Sequence, residues 1–154
     1  MPIVFLIASA YKYICFVYVV RSFILLFNIF YNSDNIDVII SHPYYLPDNF
    51  REFGNSVDKS LKRIRGTDKT HISAIELVRF CNGEGKCVMK ESVRNQDVYI
   101  LTDIGNYDVT YKIQRGIHHM MPDEHFQDIK RIISSMDGHA EKITLVMPLL
   151  YQSR

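Results

Sequence analysis

Apolar positions along most of the chain follow two periods, one typical of strands and one typical of helices. Residues 97–103 contain the strongest β-like run, and residues 143–147 carry hydrophobic residues nearly in succession. The second pattern indicates a strand that is buried on both faces, as in a parallel sheet. Shorter runs bounded by polar residues predict three more strands, at 37–41, 75–79 and 86–91.

Two segments carry apolar residues at three- and four-residue steps, the spacing of an amphipathic helix. The first is predicted to begin at Asp48, a suitable N-cap, and to stop at Gly66. The second is predicted to begin at Pro122 and to stop at Gly138. The apolar stripes are Phe50, Phe53, Val57, Leu61 and Ile64 in the first helix, and Phe126, Ile129, Ile132, Ile133 and Met136 in the second. Strands separated by helices predict an α/β fold with right-handed crossovers.

Residues 104–121 follow the strand predicted at 97–103 and precede the second helix. They show neither the strand period nor the helix period. Connections of this length are typically functional or poorly ordered. The chain also stops soon after residues 143–147, where a ligand-binding loop is expected to follow the carboxyl end of a strand. We therefore expect a domain that is incomplete at its C-terminus.

The first 35 residues differ in kind from the rest. Residues 1–31 contain only two charges, Lys12 and Arg21. The stretch from 13 to 31 is long enough for a membrane span, with Arg21 inside it as a cost. A signal peptide fits less well, because no Ala-x-Ala site follows, and translation from a misplaced start codon is a third interpretation. On each of them, residues 1–35 form an apolar extension and residues 36–154 form the domain.

Composition excludes some classes of protein. The chain of 154 residues is 47% hydrophobic and has 18 Lys+Arg against 17 Asp+Glu, a formal net charge of +1. This balance is ordinary for a globular domain and predicts no nucleic-acid partner. Three cysteines do not make a disulfide framework, so a reducing, cytoplasmic compartment is expected.

Several residues have side chains that suggest chemistry but are spaced unlike known motifs. His118, His119 and His125 lie close together in sequence, but zinc needs ligands that converge at fixed geometry, and no second cluster supplies them. Exposed or locally bonded histidines are the better interpretation, and no metal ligand is predicted. Cys81 and Cys87 could pair, bind metal or simply pack, and no C-x-x-C spacing favours the first two. Neither a Walker motif nor a nucleophile elbow is present.

Several short motifs in fixed order carry a resemblance. They are Arg79-Phe80-Cys81-Asn82-Gly83-Glu84, then Glu91-Ser92-Val93-Arg94, then Asp97-Val98-Tyr99-Ile100-Leu101, the stretch from Pro122 to Arg131, and Ile143 to Pro148 followed by Tyr151 to Arg154. Together they resemble the N-terminal domain of ribose-phosphate pyrophosphokinase. Residues 106–107 and the start of the second helix resemble a clostridial-type subgroup. The likeness is strong over 79–154, weak over 36–78 and absent over 1–35.

The resemblance implies a phosphoribosyltransferase-like α/β fold built on a parallel sheet. It implies transfer of the diphosphoryl group of ATP to ribose 5-phosphate, giving phosphoribosyl pyrophosphate and AMP, with Mg²⁺ as cofactor. The family's metal ligands, catalytic loop and phosphate loops all follow the point where this chain ends, so none is assigned here. We therefore expect the chain to be inactive by itself. The resemblance also implies a homo-oligomer, in which the loop at Phe80–Glu84 reaches a neighbouring subunit's nucleotide.

The resemblance assigns four residues to the nucleotide. Phe80 would stack on adenine, and Asn82 and Glu84 would hydrogen-bond its edge. Arg154 matches an arginine that the family directs to the nucleotide, here with the spacing Tyr-x-x-Arg in place of Tyr-x-Arg. Two alternative functions remain: a non-catalytic module that binds an adenine nucleotide, and a membrane-anchored interaction protein that uses the apolar extension.

Overall fold

The computed structural model of the chain describes residues 3–7, 36–40, 48–147, 149 and 151–152. These ranges contain eight strands and two helices. In chain order they are β1 (Ile3–Ile7), β2 (Ile36–Ile40), α1 (Asp48–Arg65), β3 (Ile75–Arg79), β4 (Gly85–Met89), β5 (Asp97–Leu101), β6 (Thr110–Ile113), β7 (Gly116–His119), α2 (Pro122–Ser135) and β8 (Lys142–Met147). Every helix and strand predicted from residues 37–147 is present, with ends shifted by at most a few residues.

Four strands form a sheet in the order β1-β8-β5-β2, and all neighbours in it are parallel. In the register of the two central strands, Val98 is opposite Ile143 and Ile100 is opposite Leu145. These four side chains are at most 1% exposed. The apolar residues of β5 and β8 thus belong to the two strands that have a neighbour on each side, and the predicted parallel sheet of an α/β fold is confirmed.

Helix α2 covers one face of this sheet with its apolar stripe. Ile129, Ile132 and Met136 are buried in one cluster with residues of β5 and β8. Pro122 occupies the first turn of the helix, where its missing N–H costs no hydrogen bond. Gly66 directly follows α1 with φ +61°, so the predicted stop of the first helix is confirmed. Helix α2 ends at Ser135, and the left-handed conformation begins at Asp137, with φ +50°, one residue before Gly138.

Two antiparallel hairpins lie outside the parallel sheet. The first joins β3 to β4 and packs on α2. The second joins β6 to β7 through a two-residue turn, Gln114-Arg115. Residues 104–121 were expected to be functional or poorly ordered, and the structure shows that they contain an ordered hairpin at 110–119. The pattern hid it because each strand has only four residues, and in β7 the apolar Ile117 faces outward while His118 faces inward.

Strand β1 pairs in parallel with β8, with Ile3 opposite Ile143 and Ile7 opposite Met147. Residues Ile3–Ile7 are therefore a strand of the same sheet, whereas the sequence places them in an appended extension. A segment that is apolar throughout gives no boundary from which this strand could be recognised. The stretch from 13 to 31, on which the membrane-span interpretation depends, lies outside the described residues. In the ranges that are described, no helix is both long and apolar enough to cross a bilayer.

Candidate nucleotide-binding site

A tight turn, Phe80–Glu84, joins β3 to β4 and is held by its own hydrogen bonds; we call it the β3–β4 turn. The Phe80 N–H donates to the Glu84 carbonyl oxygen at 2.8 Å, and the Gly83 N–H donates to the Phe80 carbonyl oxygen at 2.9 Å. The Asn82 Oδ1 accepts the Glu84 N–H at 3.1 Å, as in an Asx turn. Gly83 has φ +92°, a conformation that favours glycine. The turn is therefore fixed by local bonds rather than by burial.

The three residues of this turn that the resemblance assigns to adenine face solvent. Phe80 is 47% exposed, and Asn82 and Glu84 are also exposed. None of the three is used to fill the core, so a ligand could reach all of them. The fourth predicted residue, Arg154, lies outside the described residues, and its role stays a prediction.

Arg79, the last residue of β3, attaches the β3–β4 turn to the rest of the domain. Its Nη1 donates to the Gly83 carbonyl oxygen at 3.3 Å, and its Nη2 lies 2.5 Å from Asp128 Oδ2. Its guanidinium also lies over the ring of Tyr111, 5.0 Å from the ring centre. One side chain thus connects the turn, helix α2 and strand β6.

Asp128, on helix α2, forms ion pairs with two arginines, Arg79 and Arg131. Its side chain is 3% exposed, and its Oδ1 accepts from Arg131 Nη1 at 2.6 Å while Oδ2 faces Arg79. A buried carboxylate requires such charged, hydrogen-bonded partners. The sequence does not reveal this contact, because 49 positions separate Arg79 from Asp128 and no motif links them.

Glu124, in the first turn of α2, joins the second hairpin to the helix. Its Oε1 accepts from the Tyr111 hydroxyl at 2.6 Å. Its Oε2 lies 2.8 Å from His118 Nε2 and accepts the Met121 N–H at 2.8 Å. Burial raises the pKa of Glu124, but these hydrogen bonds outweigh it and the pKa is lowered overall. Burial and the bond to Glu124 raise the pKa of Tyr111 to about 12, so the phenol stays a hydrogen-bond donor.

A cavity of about 590 Å³ opens between the β3–β4 turn, the β6–β7 hairpin and the start of α2. Such a volume lies within the range of about 300–1,000 Å³ that is usual for small-molecule sites. The residues that line it are Cys81, Asn82, Gly83, Tyr111, Ile113, Gln114, Arg115, His118 and Glu124. Of the three turn residues that the resemblance assigns to adenine, Asn82 lines this cavity. The sequence did not point to the hairpin residues of this cavity, because no strand was predicted in residues 104–121.

The histidines are used in separate contacts. His118 faces Glu124, the His119 Nδ1 lies 2.8 Å from the Tyr107 carbonyl oxygen, and the buried His125 Nε2 lies 2.8 Å from the Asn106 carbonyl oxygen. Across the part of the chain that the structure describes, no three His, Cys, Asp or Glu side chains converge on a point where a metal ion could bind. Cys81 and Cys87 are both free thiols.

Tyr151 follows the last strand and lies against the start of α2. Its ring stacks on Phe126 with 4.3 Å between ring centres, and its hydroxyl donates to Asp123 Oδ1 at 2.6 Å. Tyr151 therefore lies at the same end of the helix that carries Glu124.

The family comparison agrees with this architecture. The family model described as the N-terminal domain of ribose phosphate pyrophosphokinase matches residues 48–154, which is more than half of the chain. No curated protein and no solved structure gives a match. The matched range contains the β3–β4 turn, helix α2 and both central strands of the sheet. The chain therefore belongs to the family of the ribose phosphate pyrophosphokinase N-terminal domain.

Proposed function

We propose that this chain is the N-terminal part of a ribose-phosphate diphosphokinase, which transfers the diphosphoryl group of ATP to ribose 5-phosphate and releases AMP. Its family supports the reaction class. Within that reaction, the described residues serve to bind the adenine nucleotide. The finer assignments, a phosphoribosyltransferase-like fold and a clostridial-type subgroup, are part of the proposal. The parallel sheet supports the first of them.

One observation carries this proposal: a rigid, solvent-facing turn presents a flat aromatic ring beside an amide and a carboxylate. The ring of Phe80 offers an apolar face on which a base can stack. The Asn82 side chain offers an amide donor, and Glu84 offers acceptor oxygens. This combination can recognise the face and the edge of a purine together. Since the turn is fixed by its own hydrogen bonds, a ligand need not order it on binding.

The Mg²⁺ that the resemblance implies has no ligand set among the described residues. We expect the chain alone to bind nucleotide without turning it over, since the family's metal ligands and catalytic loop match no residue here. We also propose a cytoplasmic homo-oligomer, in which the β3–β4 turn contributes to a neighbouring subunit's site. The two described thiols, both free, fit a reducing compartment.

Calorimetric titration of the full chain with ATP and with GTP tests the proposal. Asn82 and Glu84 cannot make the same hydrogen bonds to both bases, because positions that donate on the edge of adenine accept on the edge of guanine, and the reverse. We expect ATP to bind at least about tenfold more tightly than GTP, which corresponds to about 1.4 kcal/mol. Equal affinities, or the absence of binding, would contradict the assignment. An assay for AMP formation from ATP and ribose 5-phosphate separates binding from catalysis, and we expect no AMP from the chain alone.

A further inference from the structure

We infer that Tyr111, on strand β6, is a positioning residue for the candidate site: it holds the guanidinium of Arg79 and thereby fixes the β3–β4 turn. The inference rests on the proposed function, in which this turn binds an adenine base, and adds to it a residue of the β6–β7 hairpin. In the proposed homo-oligomer, the turn is presented to a neighbouring subunit. The hairpin of one subunit would therefore affect how tightly the next subunit binds its nucleotide.

The ring of Tyr111 contacts the charged end of Arg79, which is the side chain that attaches the turn to the domain. The Arg79 Cζ lies over the ring, 5.0 Å from its centre, and the arginine side chain is 11% exposed. Because so little water reaches it, this cation–π contact is stronger than one at the surface. The ion pair with Asp128 fixes Nη2 only, whereas the ring limits the tilt of the whole planar group. That tilt determines whether Nη1 reaches the Gly83 carbonyl oxygen, 3.3 Å away.

The hydroxyl of Tyr111 also lies beside the backbone of the turn. A Cβ at Gly83 would be 3.6 Å from the hydroxyl oxygen, which is ordinary van der Waals contact. Tyr111 and three residues of the turn, Cys81, Asn82 and Gly83, border the same cavity. Tyr111 thus supports the turn in two ways, through Arg79 and by lying next to Gly83.

Tyr111 can restrain Arg79 because its own position is fixed by other elements. Its hydroxyl donates to Glu124 Oε1, in the first turn of α2, at 2.6 Å. Its ring packs edge-on against His118, its partner in the hairpin register, with 5.1 Å between ring centres and 62° between the planes. His118 Nε2 in turn lies 2.8 Å from Glu124 Oε2. Burial, followed by the bond to Glu124, raises the pKa of Tyr111 to about 12, so the phenol keeps this bond at neutral pH.

Lys112, the next residue of β6, provides a matched control. It is opposite Ile117 in the hairpin and exposed, so it projects from the face that does not border the cavity. The K112L variant therefore alters the same strand on its other face. Y111F removes the hydroxyl but keeps the ring under Arg79, and Y111L removes both. Comparison of the three variants separates the ring from the hydroxyl and from a general effect on the hairpin.

Fluorescence of a tryptophan placed in the turn tests the inference without any ligand. The chain contains no tryptophan, so F80W introduces a single such fluorophore at the exposed start of the β3–β4 turn. Time-resolved anisotropy of F80W, alone and combined with Y111L, Y111F or K112L, measures motion of the turn separately from tumbling of the whole molecule. We expect Y111L to increase the amplitude of the fast motion, K112L to leave it unchanged, and Y111F to lie closer to F80W alone than to Y111L. An unchanged amplitude in Y111L would overturn the inference, and so would a change in K112L or Y111F equal to that in Y111L.

ATP titration of the same three substitutions, in the full chain with Phe80 intact, connects the motion of the turn to binding. We expect Y111L to weaken ATP binding about threefold or more and Y111F to weaken it less, as for loss of a half-buried cation–π contact. K112L should bind ATP as the unmodified chain does.

The outcomes separate the inference from the proposed function. If Y111L mobilises the turn but binds ATP as tightly as the unmodified chain, the inference is overturned while the proposed function stands. If none of the proteins binds ATP, the proposed function fails, and the anisotropy alone decides whether Tyr111 positions the turn. Urea unfolding shows whether each variant is folded in these assays. If Y111L is not folded, Y111M replaces it, since methionine also removes the ring but adapts to irregular packing.

Discussion

Arg79 and Asp128 form an ion pair of 2.5 Å that joins the end of strand β3 to the middle of helix α2. The same guanidinium also bonds to the Gly83 carbonyl oxygen. The position of the exposed β3–β4 turn is therefore set by a buried carboxylate on a different element. This arrangement explains how a turn with no apolar anchor of its own can present Phe80 in a fixed place.

Removing the charge of Asp128 should destabilise the fold. The D128N variant leaves Arg79 and Arg131 facing each other without a counter-charge, and loss of one partner of a buried ion pair costs about 3–5 kcal/mol. We expect the free energy of unfolding in urea to fall by about 3 kcal/mol. D137N is the matched control, because Asp137 is exposed and its φ of +50° suits asparagine. Equal unfolding midpoints for the two variants would contradict the role given to Asp128.

A side chain at Gly85 should be tolerated better when Arg131 is shortened. A Cβ at Gly85 would lie 2.9 Å from Arg131 Cζ and 3.0 Å from Arg79 Nη1, and both guanidiniums are held by Asp128. We expect G85A to cost about 1–3 kcal/mol, as for other overpacked sites. In the G85A/R131A double variant, the loss should be smaller than the sum of the two single losses. Urea unfolding of the four proteins measures this coupling, and strictly additive losses would show that the predicted clash does not occur.

Glu124 should make stability depend on pH in the acid range. Its pKa in the folded chain is below the ordinary value of 4.5, so the unfolded chain binds this proton more readily than the folded chain. The stabilisation is therefore complete above about pH 4.5 and is lost as the pH falls through the folded-state pKa. We expect E124Q to be about 1 kcal/mol less stable at pH 7.

The difference between E124Q and the unmodified chain should narrow below pH 4.5, because protonation removes the same charge that the substitution removes. The exposed Glu141 supplies the control, E141Q, at the start of β8. Unfolding midpoints measured between pH 3 and pH 7 test both the lower stability of E124Q at pH 7 and the narrowing of the difference at acid pH. A difference between E124Q and the unmodified chain that stays constant over this range would contradict the linkage.

The sequence predicts the parts of the fold that repeat a local period. The apolar runs of β5 and β8 and the stripe of α2 are visible without any structure, because each reflects burial of one element against its neighbours. The β6–β7 hairpin gives little signal, since its strands have only four residues each, the exposed Ile117 breaks the alternation, and the turn Gln114-Arg115 has no glycine or asparagine. The family resemblance, by contrast, already pointed to the β3–β4 turn.

The contacts that hold the candidate site together could not be predicted from the sequence. Arg79 was visible inside a motif, but its partner Asp128 is on another element, and a charge on a helix face is usually just solvated. Glu124 lies in the first turn of α2, where a negative charge favours the helix dipole, and its contacts with Tyr111 and His118 could not be read from the sequence. Such contacts depend on tertiary packing, which no spacing along the chain records.

Oligomerisation is the prediction that depends most on the family. If the β3–β4 turn completes a neighbouring subunit's site, the chain should sediment as a species larger than its monomer mass of 18.0 kDa. Sedimentation velocity over a range of concentrations, with and without ATP, measures this. A single 18.0 kDa species at every concentration would contradict the proposed oligomer.

The most direct measurement compares ATP binding by F80A and I117A. Both variants shorten an exposed apolar side chain, with Phe80 47% and Ile117 74% exposed, and neither is in the core. Stacking of a base on an aromatic ring contributes about 1–3 kcal/mol, so we expect F80A to weaken ATP binding by about 5- to 150-fold while I117A leaves it unchanged. If F80A binds ATP as tightly as I117A does, the β3–β4 turn does not bind the base.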